Sequence, residues 1–175
     1  IANNKVNTQD FAASVIMAQS NSNETILRYC KMYNFDYSKH RICLSIEFDS
    51  EVPTTSTRKY ITREIFSSIT TWIMNTYGCN VFFLKTHTHY VLYLLFSDVI
   101  SQETAEYQAS EAAKKIWHIF NHNNISTYIG VSLYSSDLQQ ISKAFFQAID
   151  AMKLGRKLYP EENVFLFRTI QVYQW

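Results

Sequence analysis

Glu47 and Asp49 stand two positions apart in the alternating segment Arg41 to Asp49, so both carboxylates lie on one side of it. A pair of this kind could share a divalent cation, since hard cations take oxygen ligands. The plainer reading is a solvated strand end beside a loop. His87 and His89 fall in the polar run Lys85-Thr86-His87-Thr88-His89. Imidazoles so spaced can ligate a transition metal, but without defined partners they read as ordinary turn residues. His118 and His122 are four apart on a helical segment, a metal-compatible spacing. No H-E-x-x-H pattern surrounds them and no third ligand is apparent; a favourable position near a helix C-terminus accounts for them. Lys153, Arg156 and Lys157 cluster after the last long helix. They could meet a phosphate, or simply complement the carbonyl end of that helix.

Other chemistries lack their signatures. The chain contains no G-x-S-x-G, P-loop or G-x-G-x-x-G. Its Ser, His and Asp residues form no recognisable triad order. Cys30, Cys43 and Cys79 are odd in number and widely spaced, with no C-x-x-C pair, which argues against a disulfide framework or structural zinc and for reduced thiols. A formal net charge of +1 argues against a broad nucleic-acid footprint. Tyr90, Tyr93, Tyr128 and Tyr134 could stack bases, yet no RNP-like basic-aromatic signature accompanies them, so core packing is the default.

The elements that must position these residues follow from hydrophobic periodicity. With 175 residues, 47% of them hydrophobic, the chain can bury one domain core; 3 Gly and 2 Pro leave few sharp turns and predict long regular elements. Thr8 caps a short helix bearing Phe11, Val15 and Ile16, and a second helix carries Ile26, Leu27, Cys30 and Tyr33. Arg41 to Asp49 is a strand with one strongly apolar face, Ile42, Leu44, Ile46 and Phe48. Thr57 to Tyr77 is a helix closed by Gly78. Two near-continuous apolar runs, Asn80 to Leu84 and Tyr90 to Phe96, read as central strands joined in a hairpin. Ser101 opens a helix that Asn123-Asn124 stops, and Ile125 to Leu133 is a strand. Ser136-x-x-Gln139 is a capping box for a helix ending at Gly155; Asn163 to Phe167 is a last short strand, and a trailing helix begins at Arg168. The unit β-α-β-β-α-β is the ferredoxin-like pattern, predicting an α+β fold with a mixed sheet and packed helices behind a helical lead-in. No run approaches the ~18 apolar residues of a membrane span.

The order of motifs resembles one family. The lead-in from Asp10-Phe11-Ala12 to Tyr33-Asn34-Phe35-Asp36, the acidic strand end Ile46-Glu47-Phe48-Asp49, the strand Ile129-Gly130-Val131-Ser132 and the helix Ala144 to Gly155 are similar to the GGDEF-like domain of the sugar diacid regulators, the CdaR/PucR family. The resemblance implies a nucleotide-cyclase-like fold. Its implied organisation is a lead-in at residues 1–39, a GGDEF-like domain at 40–168, and at 169–175 the start of a linker or helix toward a DNA-binding domain outside this chain. True cyclases of this architecture carry a Gly-Gly-Asp-Glu-Phe hairpin, whose glycines admit the nucleotide and whose acids serve metal and triphosphate. Here Thr86-His87-Thr88-His89-Tyr90 stands in that place.

The expectation is therefore a non-catalytic regulatory and oligomerisation domain of a bacterial transcription regulator. It has no catalytic residues, metal or cofactor. An unknown small effector would be held at Glu47, Asp49, Lys85, Thr86, His87 and His89. Cytoplasmic location, a homodimer, DNA contact only through the missing helix-turn-helix domain and no membrane contact complete the expectation. The alternative is a degenerate domain binding a nucleotide or other effector without turnover. The opening Ile1-Ala2-Asn3-Asn4, lacking Met and a leader, reads as a fragment of a longer protein. The lead-in's apolar stripe is expected to need a surface from a partner subunit or neighbouring domain.

Overall fold

The computed structural model describes Phe11, Val15, Ile16 and residues 22–49, 56–86, 89–97, 99–138 and 140–173. Helix α1 (Asn23–Met32) is capped by the Ser22 hydroxyl, which accepts from the Thr25 N–H. There follow β1 (His40–Phe48), α2 (Ser56–Tyr77), β2 (Asn80–Lys85), β3 (Tyr90–Phe96), α3 (Gln102–His122), β4 (Thr127–Val131), α4 (Gln140–Leu158), β5 (Val164–Leu166) and α5 (Phe167–Ile170), then a 3₁₀ turn, Gln171–Tyr173. The strands form one sheet in the order β2-β3-β1-β4-β5. All neighbours are antiparallel except β4 and β5, so the predicted mixed α+β sheet is present. The expected Thr8 cap lies outside the described residues.

Both faces of the sheet are buried. Ile42, Leu44 and Ile46 of β1, with Leu92, Leu94 and Phe96 of β3, pack under α2 and α3. The opposite set, Cys43, Val91, Tyr93 and Leu95, packs under α4 and the lead-in. The expectation of a single apolar face on β1 is thus corrected: Cys43 and Ser45 are fully buried as well. β2 is an edge strand with much of its surface open, not a central one; its run Val-Phe-Phe-Leu is apolar because rings spill onto both faces.

The lead-in finds its surface within the same chain. Phe11, Val15, Ile16, Ile26 and Cys30 are all buried. Phe35 meets Tyr93 edge-on at 5.3 Å and Phe82 at 5.0 Å, while Phe11 meets Phe82 at 5.1 Å. Each such pair adds about 0.5–1.5 kcal/mol beyond its burial. The stripe therefore needs no partner subunit to cover it.

Arg41, the second residue of β1, is fully buried without a carboxylate partner within ion-pair distance among the described residues. Its guanidinium donates to the carbonyls of Asp137 at 2.7 Å and Tyr37 at 2.8 Å, clamping the lead-in to the entry of α4. Charge-assisted bonds of this kind offset its desolvation. Burial lowers its pKa from the ordinary arginine value.

Two glycines bring α4 onto the sheet. A Cβ at Gly130 would overlap the Ala148 carbonyl oxygen, and one at Gly155 would overlap the Phe165 ring. Gly155 lies inside α4, which runs on to Leu158; it is a point of close approach, not the expected helix stop. Helix α4 starts at Gln140, after the proposed capping box of Ser136 and Gln139; Gln139 lies outside the described residues. The segment before α4 also meets Arg41: Ser135 N donates to the Arg41 carbonyl at 3.0 Å. Gly78, by contrast, has the left-handed φ of +68° expected of a helix C-cap.

Gly130→Ala is expected to lower stability by about 3 kcal/mol, since backbone must move to admit a methyl group. That corresponds to roughly 6–12 °C in Tm for a chain of this size. Thermal denaturation followed by circular dichroism checks this; an unchanged Tm would refute the tight approach of α4.

Candidate functional site

The β1–β3 register places Ile46 opposite Tyr90, so one step further Glu47 faces His89. Across the other edge Glu47 pairs with Tyr128 of β4. The Glu47 Oε2 lies 3.7 Å from His89 Nε2, near enough for electrostatic attraction but longer than a hydrogen bond. The imidazole meets the ring of Phe145 on α4 edge-on at 6.4 Å. Glu47 and His89 therefore lie on the face that α4 covers.

The turn from β2 to β3 is closed by Thr86. Its N–H donates to the His89 carbonyl at 2.8 Å, and its Oγ1 accepts from the His89 N–H at 2.9 Å. Thr86 is itself buried. Its hydroxyl thus serves the backbone of the turn. His87 lies outside the described residues.

Of the remaining candidates, Asp49 continues the Glu47 side of β1, half-buried, with its N–H donating to the Ser126 carbonyl at 3.0 Å. Lys85 does not join them. It ends β2 opposite Tyr90, and its Nζ stands 5.2 Å from the centre of that ring. Tyr90 packs with Phe66 of α2 on the opposite face of the sheet. The five described residues of the predicted six thus divide: Glu47 and His89 toward α4 with Asp49 continuing the Glu47 side of the strand, Lys85 toward α2, Thr86 in the turn.

Two residues near Glu47 and His89 escape a reading by elements alone. Lys153 lies close enough to bear on the His89 charge. Arg156 places its guanidinium 3.8 Å from the centre of the Tyr128 ring. Both belong to α4, not to a segment after it. Their three-residue spacing on a helix was the available signal, since it puts both on one face. His118 and His122 are exposed on α3, away from this cluster.

The chemistry open to this arrangement is narrow. Burial lowers the pKa of His89; the Glu47 carboxylate opposes that shift and Lys153 adds to it. A neutral imidazole beside a carboxylate can hold or share a proton. Metal-bound triphosphate chemistry, which the GGDEF architecture implies, needs several oxygen ligands for a hard cation. Among the described residues no group of three or more His, Cys, Asp and Glu able to hold a metal occurs; Glu47 and Asp49 are the carboxylates at this strand end. All three cysteines are buried and unpaired, and burial pushes Cys30 and Cys79 up to about 11, so none offers a reactive thiolate.

Comparison with known proteins follows this geometry. A family model described as "GGDEF-like domain" matches residues 19–154. No curated protein matches the chain in sequence. Among solved structures, the fold is similar to the active GGEEF domain of a diguanylate cyclase from Vibrio cholerae, with 18% identity, 82% of this chain and 90% of that chain covered, and a TM-score of 0.45. A bacterial light-regulated adenylyl cyclase is similar over 55% of this chain and 54% of that chain, with 16% identity and a TM-score of 0.38.

Because the folded pKa of His89 lies below the ordinary 6.5, the unfolded chain binds its proton more readily. Its contribution to stability is held above pH 6.5 and lost as pH falls from there through the folded value. His89→Gln should therefore flatten the fall of Tm between about pH 6.5 and pH 5. Glu47→Gln should move the His89 titration to lower pH, read from its ring proton by NMR; a move upward would contradict the assigned attraction.

Proposed function

The chain belongs to the GGDEF-like domain family, and from that premise we propose that it is a non-catalytic regulatory domain of a bacterial transcription regulator of the sugar-diacid type. The observation that carries the non-catalytic part is the turn at Thr86 to His89. Where a cyclase needs acids and glycines, a threonine hydroxyl is spent on the backbone of the turn and an imidazole faces Glu47. Phosphoryl transfer is mostly positioning and charge neutralisation by metal ions, so losing their ligands removes most of the rate.

The regulatory part is supported by the order of motifs along the chain, which resembles the sugar diacid regulators from the lead-in to the segment Ala144 to Gly155 of α4. In such a protein this domain relays or dimerises, and a separate helix-turn-helix domain touches DNA. The near-neutral charge of the chain supports that division of labour. A cytoplasmic homodimer is the setting this reading calls for. A second reading, a domain that binds a small effector without turnover, is favoured by a groove of about 510 Å³ between α2 and the hairpin.

Incubation with GTP or ATP and Mg²⁺ or Mn²⁺, analysed by chromatography, is expected to yield no cyclic product. Product that disappears in Glu47→Ala would overturn the non-catalytic reading. In a gel-shift titration the chain alone should show no sequence-dependent DNA binding; tight, specific binding would remove the need for a separate DNA-binding domain.

A further inference from the structure

We propose that the groove between α2 and the β2–β3 hairpin is a binding site for a small aromatic carboxylate. The proposal rests on the effector-binding reading and gives its ligand a chemical class.

The groove has an aromatic floor. Phe66 of α2 stacks on Tyr90 of β3 at 4.8 Å and 27°, and Tyr90 stacks on Phe83 of β2 at 6.0 Å and 23°. Phe83 and Phe66 lie 5.0 Å apart. Near-parallel rings suit a flat apolar body by offset stacking. Phe83 is 38% exposed and Tyr90 half-buried, so these two rings are reachable from solvent, while Phe66 is buried behind them. The volume of about 510 Å³ falls within the range of small-molecule sites.

One sign of charge rims that floor. Lys59 and Arg63 line the groove one helical turn apart, both exposed, and neither is ion-paired among the described residues. Lys85 adds a third cation above Tyr90. Among the described residues no Asp, Glu, Asn or Gln lines the groove; the other polar groups there are the hydroxyls of Thr62, Ser67, Thr70, Thr71 and Tyr90. Of these, the Thr71 hydroxyl donates to the Ser67 carbonyl at 3.1 Å. A base edge rich in donors would find no carboxylate or amide acceptor there. An anionic head would find a guanidinium, which grips a carboxylate with two parallel bonds, and an ammonium beside it. Aromatic floor and cationic rim together select a planar body carrying one carboxylate.

Calorimetric titration of the whole chain with 1-naphthoate, and with the neutral 1-naphthalenemethanol, tests this. Naphthoate is expected to bind at least about tenfold more tightly than the alcohol, equivalent to about 1.4 kcal/mol. The double variant Lys59→Gln, Arg63→Gln changes only exposed side chains. It should abolish that preference and leave the weak binding of the alcohol unchanged. Phe83→Ser should weaken both ligands while Tm is retained. Equal affinity of wild type for the two ligands, or naphthoate binding that survives the double variant, would overturn the proposal. Cyclic product from GTP in a parallel sample would refute the non-catalytic reading and leave the naphthoate result standing, so the two failures are distinguishable.

Discussion

The packing of α4 against a sheet strand that has no side chain at Gly130 governs how the rest of the molecule is arranged. With hydrogen at that position, the Ala148 backbone can lie directly on β4. Gly155 repeats the device one strand outward, against Phe165 of β5. Helix α4 is thereby held flat across the second face, burying Cys43, Tyr93 and Val91 with Ile141, Ala144 and Phe145. The Tyr93 hydroxyl, which no water reaches, donates to the Ile141 carbonyl at 2.8 Å. A sheet covered on both sides results, and its chemistry is confined to strand ends and edges.

Arg41 is a second consequence of that closure. Its stem sits in the sheet while its head must be satisfied without water. Three carbonyls from two distant segments, those of Tyr37, Ser136 and Asp137, converge on it. Removing the head would leave those oxygens to find other partners, so the clamp specifies where the lead-in and the start of α4 meet. The lead-in is bound twice over, by this cation and by the ring contacts of Phe11 and Phe35. It belongs to the domain's own core.

Much of this was legible in the sequence where periodicity is strong. The stripe of α3 defined its element because burial there follows one repeat, with Ala105, Ala109, Ala112, Ala113, Ile116 and Phe120 all buried; the alternation of β1 marked a strand, although both of its faces are buried. Glycine chemistry was legible only in part. Gly78 and Gly155 both end an apolar stripe, but one supplies a positive φ and the other supplies space, and local sequence does not distinguish these uses. The burial of Arg41 is not legible locally, because two of its three carbonyl partners, Ser136 and Asp137, come from nearly a hundred positions away. Within the candidate site, alternation put Glu47 and Asp49 on one face correctly. Facing His89 depended on the β1–β3 register, and Lys85 crossed to the other face through the register of the hairpin.

The same parity separates two regions that a linear reading merges. Residues 85 and 89 flank one turn, yet the Lys85 side chain lies toward α2 and that of His89 toward α4. On the α4 side stand Glu47 and His89, 3.7 Å apart, with Lys153 near enough to bear on the imidazole. On the α2 side stand cations without acids above open rings. Neither the close approach at Gly130 nor the two buried faces depend on the side chains at those strand ends, so residues there can vary without loss of the fold. The open, charge-biased surface of this scaffold is the groove beside the turn.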